Sequence, residues 1–180
     1  MTRFHAGERD FVGYGRNPPD PKWPGGARLA LNFVINYEEG SEVAISNGDA
    51  DDEVTLTEVS APIVPSGVAD HGARSMFEYG SRVGWWRLYR LFTERGIKPT
   101  IFACAVALER NPEAAAAIRE AELDFLCHGW RWIEHYRLDE ETERRHIADA
   151  IASLRQTLGE RPLGWYCRYG PSDNTRRLLI

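Results

Sequence analysis

Acidic, imidazole and guanidinium side chains each follow an apolar run in this sequence. Glu38 and Glu39 come just after the run 27–36, His128 follows a second run, and Arg168 follows a third. A carboxylate beside another carboxylate can have a raised pKa and accept a proton from water. An imidazole can return that proton, and a guanidinium can bind an oxygen atom. These residue types therefore predict proton-transfer chemistry, provided that the three runs end at one edge of a sheet.

Aromatic residues stand next to these polar groups. Trp130 and Trp132 follow His128, and Tyr169 follows Arg168, so we expect the three rings to wall a pocket and exclude water. Plain packing at the mouth of the fold is an equally good interpretation of each ring. Taken singly, the acidic pair is typical of a solvated surface, His128 of a structural histidine, and Arg168 of an ion pair. Their common position after apolar runs favours the functional interpretation.

The elements that must position these groups are visible in the hydrophobic pattern. Buried strands are predicted over the apolar segments 27–36, 100–106, 123–127 and 163–167. Helices are predicted between and after them over 83–95, 112–122 and 139–158, with another helix from Ser172. Strands that alternate with helices predict an α/β fold in which the four strands are parallel neighbours. The polar stretch 40–75 predicts a long loop, and loops of that length are usually functional.

Composition excludes several classes of protein. The 180 residues include 43% hydrophobic residues and carry a net charge of −5, which predicts a globular domain rather than a nucleic-acid-binding or membrane-surface protein. No segment is apolar for long enough to span a membrane, and the N-terminus lacks the apolar region of a secretory signal. Cys104, Cys127 and Cys167 are odd in number and widely spaced, which indicates reduced thiols and a cytoplasmic location.

Several longer motifs carry a resemblance to one family. They cover the stretches 12–19, 33–40, 47–50, 77–84, 128–132, 164–166 and 174–177. With an acidic pair and Gly after one strand, His-Gly-Trp after another and Arg after a third, the chain resembles the polysaccharide deacetylase (NodB-homology) superfamily. Within it, the chain is most similar to the metal-independent allantoinases, also known as urate-catabolism proteins. The resemblance implies a parallel (β/α) barrel and a hydrolase of non-peptide C–N bonds in carbohydrate or purine metabolism.

The sequence departs from the deacetylase pattern at the positions that matter for a metal. Glu38 and Glu39 stand where deacetylases carry Asp-Asp, a catalytic base followed by a metal ligand. His128 matches the first metal-binding histidine, but Trp132 stands in place of the second, and indole cannot ligate a metal. His135 lies off the required i, i+4 spacing and is a poor substitute. We therefore expect no metal and no other cofactor, whereas a deacetylase would need Zn²⁺.

The resemblance also implies a role for each candidate residue. Glu38 matches the base position and would activate water, with Glu39 as its coupled neighbour or as a substrate binder. His128 would polarise the carbonyl or protonate the leaving nitrogen, and Arg168 would bind a ureido oxygen or orient Glu38. The expected substrate is a small cyclic ureide, with hydrolysis of allantoin to allantoate as the expected reaction.

Two alternatives remain open at this point. One is a metal-dependent N-deacetylase that acts on chitin or peptidoglycan, and the other is a truncated, inactive copy of either enzyme. The predicted layout is an N-terminal arm over 1–26 and the N-terminal part of one barrel domain over 27–180. A parallel barrel needs ~200 or more residues, so we expect the barrel to be incomplete at the C-terminus. The apolar sheet edge left open there predicts a homo-oligomer in which another chain covers it.

Overall fold

The computed structural model describes residues 10–59 and 61–180. The chain divides into two compact units, 1–31 and 32–180. The described part of the first unit is rich in proline and contains one 3₁₀ turn, Pro24–Gly26. The strands, the α-helices and every candidate site residue lie in the second unit.

Three strands form a parallel sheet in the second unit. They are β1 (Val34–Tyr37), β2 (Thr100–Ala103) and β3 (Phe125–Cys127), in the order β1-β2-β3. The predicted parallel arrangement of these three strands is therefore confirmed. The strands are shorter than the apolar runs that predicted them. Their register pairs Tyr37 with Ala103 and Ala103 with Cys127, so the strands end side by side.

The fourth predicted strand is reduced to a single bridge. Trp165 pairs in parallel with Cys127, the last residue of β3, and the rest of 163–167 has no strand pairing. The bridge is held by the Cys127 amide, which donates to the Gly164 carbonyl at 3.0 Å, and by the Tyr166 amide, which donates to the Cys127 carbonyl at 2.9 Å. The expected position beside β3 is thus correct, whereas the expected length of the strand was wrong.

Six α-helices surround this sheet in the described chain. They are α1 (His71–Tyr79), α2 (Trp85–Thr93), α3 (Ala105–Arg110), α4 (Pro112–Glu120), α5 (Glu140–Leu158) and α6 (Thr175–Leu179). Asp70, Asn111 and Asp139 cap α1, α4 and α5 by accepting hydrogen bonds from backbone amides of the first turn. The helix α3 was not predicted, because its apolar residues continue the run that forms β2.

A π-helical turn, Gly80–Gly84, joins α1 to α2. The loop predicted over 40–75 is shorter than expected, because α1 already begins at His71, and the described residues of the loop contain one 3₁₀ turn, Ile45–Asn47. The buried core lies between the sheet and the helices and includes Ile101, Leu108, Ile118 and Leu154. Among the described residues, none of the helices combines the length and the apolar character needed to span a bilayer.

Candidate functional site

Glu38 and His128 form a buried carboxyl–imidazole pair at the carboxyl edge of the sheet. The Glu38 Oε1 atom lies 2.7 Å from the His128 Nε2 atom, and both side chains are almost fully buried. Asn36 also donates a hydrogen bond from its side-chain amide to the same Oε1 atom, at 2.9 Å. The two residues that the sequence predicted as base and imidazole are thus brought together by strands from opposite sides of β2.

The tautomer of His128 follows from its other ring nitrogen. The Nδ1 atom lies 2.6 Å from the backbone carbonyl of Tyr166, and a carbonyl can only accept a hydrogen bond. Nδ1 therefore carries a proton. The Nε2 atom either donates to an ionised Glu38 or accepts from a protonated Glu38, so the pair shares one transferable proton. This arrangement is suited to taking a proton from one atom and delivering it to another.

Strand ends position this pair. Glu38 follows the last residue of β1, and His128 follows the last residue of β3. The His128 amide donates to the Ala103 carbonyl at 2.8 Å, and the Cys104 amide donates to the Tyr37 carbonyl at 3.0 Å. These two hydrogen bonds continue the parallel ladder beyond the strands, which fixes the backbone on either side of β2. The pair is therefore built on rigid backbone rather than on a free loop.

Glu39 lies apart from the Glu38–His128 pair. Its carboxylate lies against the Cα of Gly80 in the π-helical turn, where a Cβ atom would stand only 2.1 Å from Oε1. The Glu38 amide donates to the Glu39 Oε2 atom at 3.3 Å. Burial raises the pKa of Glu39, although backbone hydrogen bonds oppose that rise. Glu39 is thus a second carboxyl at the same edge, without the imidazole partner.

Arg168 lies in a separate cluster with the buried residues Glu53 and Trp132 and the exposed residue Tyr169. Its guanidinium carbon stands 3.8 Å above the centre of the Trp132 ring and 4.9 Å from that of Tyr169. Its Nη2 atom forms an ion pair with Glu53 Oε2 at 2.5 Å, and its Nη1 atom donates to the Trp132 carbonyl at 2.9 Å. The expectation that Arg168 orients Glu38 is not met in this geometry, since Glu53 takes the ion pair instead.

The three predicted aromatic residues differ in their surroundings. Trp132 is 2% exposed and lies between Arg168 and the ring of Phe77, so it is mainly a buried packing residue. Tyr169 is 62% exposed and has a φ of +56°, a left-handed conformation that is uncommon for a residue other than glycine. Trp130 is partly buried against the hydrophobic core. Tyr169 is therefore the most accessible of the three rings.

Ser41 connects the two polar clusters. Its hydroxyl donates to the Glu38 carbonyl at 2.6 Å, and its own carbonyl accepts from the Trp132 amide at 3.0 Å. Ser41 therefore links the backbone of Glu38 to the backbone of Trp132, whose ring lies against the Arg168 guanidinium.

Comparison with known proteins identifies the family. A family model described as polysaccharide deacetylase matches residues 69–180, which is more than half of the chain. The chain belongs to the polysaccharide deacetylase family. A curated Schizosaccharomyces pombe protein described as "Putative polysaccharide deacetylase" is 35% identical over 175 residues, which cover 95% of this chain and 54% of that protein.

Two solved structures are similar to nearly the whole of this chain. One is described as a probable polysaccharide deacetylase from Pseudomonas aeruginosa PAO1, with 46% identity and a TM-score of 0.89, covering 96% of this chain and 57% of that one. The other is PuuE allantoinase, with 46% identity and a TM-score of 0.88, covering 95% of this chain and 56% of that one. The α/β fold expected from the sequence is thus confirmed, and the chain spans about half the length of these relatives.

The metal site that the deacetylase family implies does not fit the residues of this chain. Glu39, His128 and Trp132 occupy the expected ligand positions, but the Glu39 carboxylate lies against Gly80 and the Trp132 indole is covered by a guanidinium. Within residues 10–59 and 61–180, no three His, Cys, Asp or Glu side chains are grouped so that they could hold a metal ion. We therefore derive no step of the chemistry through a bound metal.

Two residues of this deacetylase-family site were not predicted from the sequence. Asn36 holds Glu38, and Glu53 pairs with Arg168. Asn36 is a polar residue at the end of an otherwise apolar run, which is a detectable signal. Glu53 lies in the polar stretch that the sequence marked as a functional loop, but several other acidic residues lie there too, so the pattern alone does not single it out.

Proposed function

We propose that this chain provides the general acid–base half of an allantoinase-like active site, which hydrolyses a C–N bond of a cyclic ureide without a resident metal. The observation that carries the proposal is the 2.7 Å contact between Glu38 Oε1 and His128 Nε2, with Nδ1 fixed by the Tyr166 carbonyl. A carboxylate and an imidazole that share a proton can both activate water and protonate a leaving nitrogen.

The proposed reaction moves two protons: Glu38 takes one from water, His128 gives another to the leaving nitrogen, and transfer of the proton from Glu38 to His128 Nε2 then restores the starting state. In the ionised form of Glu38, the carboxylate takes a proton from water as the water oxygen forms a bond to the ring carbonyl carbon. The resulting tetrahedral intermediate collapses when the C–N bond breaks, and the imidazolium of His128 donates its Nε2 proton to the leaving nitrogen. Both observed hydrogen bonds to Glu38 use Oε1, so Oε2 is the oxygen that we assign to the attacking water.

Arg168 is best described as a positioning residue in this scheme. Its Nη1 atom donates to the Trp132 carbonyl and its Nη2 atom contacts Thr55 and Glu53, so the guanidinium is anchored in this cluster. The guanidinium also holds the Trp132 ring by a cation–π contact. We propose that the exposed ring of Tyr169 forms one wall of the substrate pocket, and that Arg168 and the buried Trp132 ring hold Tyr169 in place.

The similarity to PuuE allantoinase supports this assignment over glycan deacetylation. That protein is 46% identical to this chain, and its name states its activity. The family to which this chain belongs is described as polysaccharide deacetylase, as is another similar structure, so removal of an N-acetyl group from a glycan is the competing hypothesis. The mismatch between the donor set of this chain and a metal site weighs against that hypothesis.

A chimera provides a direct test of the proposed function. Because the chain covers 56% of PuuE allantoinase, residues 1–180 would replace the matching part of that enzyme, and allantoate formation from allantoin would be measured with and without chelator. We expect turnover that chelator does not reduce. Activity on an N-acetylated glycan that chelator abolishes would instead establish the deacetylase hypothesis. Residues 1–180 alone are expected to give little or no turnover.

A further inference from the structure

Asn36 and Glu38 share one face of the chain at β1. Side chains alternate between the two faces of a strand, so residues two positions apart point the same way. Ile35 and Tyr37 are buried in the hydrophobic core, whereas Asn36 lies on the exposed face of β1. The Asn36 Nδ2 atom donates to Glu38 Oε1 at 2.9 Å. The strand therefore places a side-chain amide beside the carboxyl group that we assign as the base.

Two nitrogen atoms converge on this one carboxyl oxygen. His128 Nε2 lies 2.7 Å from Glu38 Oε1, and Asn36 Nδ2 lies 2.9 Å from the same atom. If Oε1 carries a proton, that proton points to His128, because an amide N–H₂ group can donate but cannot accept. Asn36 is thus a donor to Glu38 whether the carboxyl group is ionised or protonated.

The Glu38–His128 pair has two arrangements of its protons. In one, Glu38 is ionised and His128 is an imidazolium. In the other, the Nε2 proton has moved to Glu38 Oε1, which leaves a carboxylic acid and a neutral imidazole. The proposed reaction starts from the first arrangement, since only an ionised Glu38 can take a proton from water. Burial favours the second, because it contains no charges, and Glu38 and His128 are only 8% and 2% exposed.

The hydrogen bonds at the two ends of the pair favour the charged arrangement. A hydrogen bond is roughly twice as strong when one of its partners is ionised. The bond from Asn36 to Oε1 therefore stabilises a carboxylate more than a carboxylic acid. In the same way, the bond from His128 Nδ1 to the Tyr166 carbonyl stabilises an imidazolium more than an imidazole. The Tyr166 acceptor is backbone, so Asn36 is the partner that a substitution can remove.

We propose that Asn36 is a positioning residue that holds the Glu38–His128 pair in its imidazolium–carboxylate arrangement. Without the amide donor, the proton moves from His128 Nε2 to Glu38 Oε1, and Glu38 is no longer a base. The catalytic consequence rests on the proposed function, whereas the place of the proton depends only on the geometry of the pair. Because Asn36 lies on the exposed face of β1, a substitution there removes the donor without opening a cavity in the core.

Nitrogen-15 NMR of the histidine rings tests this proposal in the 180-residue chain at pH 7. The shift of a ring nitrogen shows whether that atom carries a proton, and we expect both nitrogens of His128 to be protonated in the native chain. Asn36→Leu keeps a side chain of similar shape but donates no hydrogen bond. In this variant we expect the ratio of the imidazolium to the neutral form to fall at least ~10-fold. A native His128 without a proton on Nε2, or an Asn36→Leu spectrum identical to the native one, would overturn the proposal.

Asn32→Leu is the matched control for the NMR experiment. Asn32 lies at the opposite end of β1 from Glu38, and its side chain accepts from Thr100 Oγ1 at 3.3 Å. The His128 signals of this variant should match those of the native chain. The ring nitrogens of the buried His135 report on folding and should not shift in either variant. Equal changes at His128 in both variants, or changes at His135, would contradict a direct role of Asn36.

The rate of the chimera distinguishes this proposal from the proposed function. In the chimera, Asn36→Leu should lower kcat for allantoin at least ~10-fold with little change in KM, because substrate binds as before and fewer molecules have Glu38 as a base. An active chimera in which Asn36→Leu retains the original kcat would contradict the positioning role. A chimera with Asn36 that does not hydrolyse allantoin would instead contradict the proposed function, and the NMR result would still decide the role of Asn36.

Discussion

Glu39 is seated against Gly80, at a place where no other residue type could stand without displacing the carboxyl group. A Cβ atom on Gly80 would lie 2.1 Å from Glu39 Oε1 and 2.7 Å from its Cδ atom. Gly80 opens the π-helical turn between α1 and α2, and such turns are frequent at functional sites. The turn thus leaves room for the Glu39 carboxyl group, because Gly80 has no side chain.

The variant Gly80→Ala should move the Glu39 carboxyl group. The clashing atoms belong to the end of a flexible side chain, so the chain should stay folded while the carboxyl swings toward solvent. We expect the pKa of Glu39, which burial raises, to fall toward its ordinary value. Carboxyl NMR titration measures this shift directly.

Gly84→Ala serves as the matched control for that experiment. Gly84 lies in the same π-helical turn, but a Cβ there would meet its nearest neighbour at 3.7 Å, an ordinary contact. The pKa of Glu39 should therefore be unchanged in this variant. If the pKa of Glu39 stays raised in Gly80→Ala, the contact between the Glu39 carboxyl group and Gly80 does not keep that group buried, which would contradict the account.

The ion pair between Arg168 and Glu53 should contribute measurably to the free energy of unfolding. Both side chains are buried, so Arg168→Met leaves the Glu53 carboxylate without its partner and should lower the free energy of unfolding by about 3–5 kcal/mol. Adding Glu53→Met should recover much of that loss, because the stranded charge is removed. Urea unfolding of the two single variants and the double variant measures the coupling. Strictly additive losses would count against a direct pair.

Histidine 135 should make stability depend on pH. Its side chain is buried against the Trp165 ring, and this burial lowers the pKa of His135 in the folded protein. In the unfolded chain His135 has its ordinary pKa of ~6.5, so at pH values below this the unfolded chain binds more protons than the folded protein does. The free energy of unfolding should therefore decrease as the pH falls below about 6.5. His135→Phe should flatten the dependence of the melting temperature on pH between about 5 and 7. An unchanged slope would mean that another group is responsible.

Zinc content is expected to be low in the purified chain. Trp132 stands at the position of a metal ligand, and the Arg168 guanidinium lies 3.8 Å from the centre of its ring. The positive charge of this guanidinium disfavours binding of a metal cation beside it. After dialysis against metal-free buffer, elemental analysis should find far less than one zinc per chain. Stoichiometric zinc would favour the deacetylase hypothesis.

Sequence patterns predicted the parts of this molecule that depend on local order. The three paired strands, the helix α5 with its cap at Asp139, and the placement of Glu38 and His128 after strands all follow from hydrophobic period and capping residues. The close approach of Glu38 to His128 could be predicted too, because parallel strands end at one edge.

Other features depend on contacts between residues far apart in the chain, which no local pattern encodes. The ion pair between Glu53 and Arg168 joins the long loop to the segment after the last predicted strand, and it determines that Arg168 lies on Trp132 rather than on Glu38. The segment 163–167 has the composition of a strand, yet only Trp165 finds a partner. The seat of Glu39 on Gly80 depends on how the π-helical turn packs against β1.

The most direct test of the central claim is the allantoinase rate of Glu38→Gln in the chimera. Glutamine is nearly isosteric with glutamate but cannot accept the proton from water, so turnover should fall by at least ~100-fold while the melting temperature changes little. Glu141→Gln, at an exposed position of α5, should retain the original rate. A Glu38→Gln chimera with near-normal turnover would contradict the assignment of Glu38 as the base and, with it, the proposed mechanism.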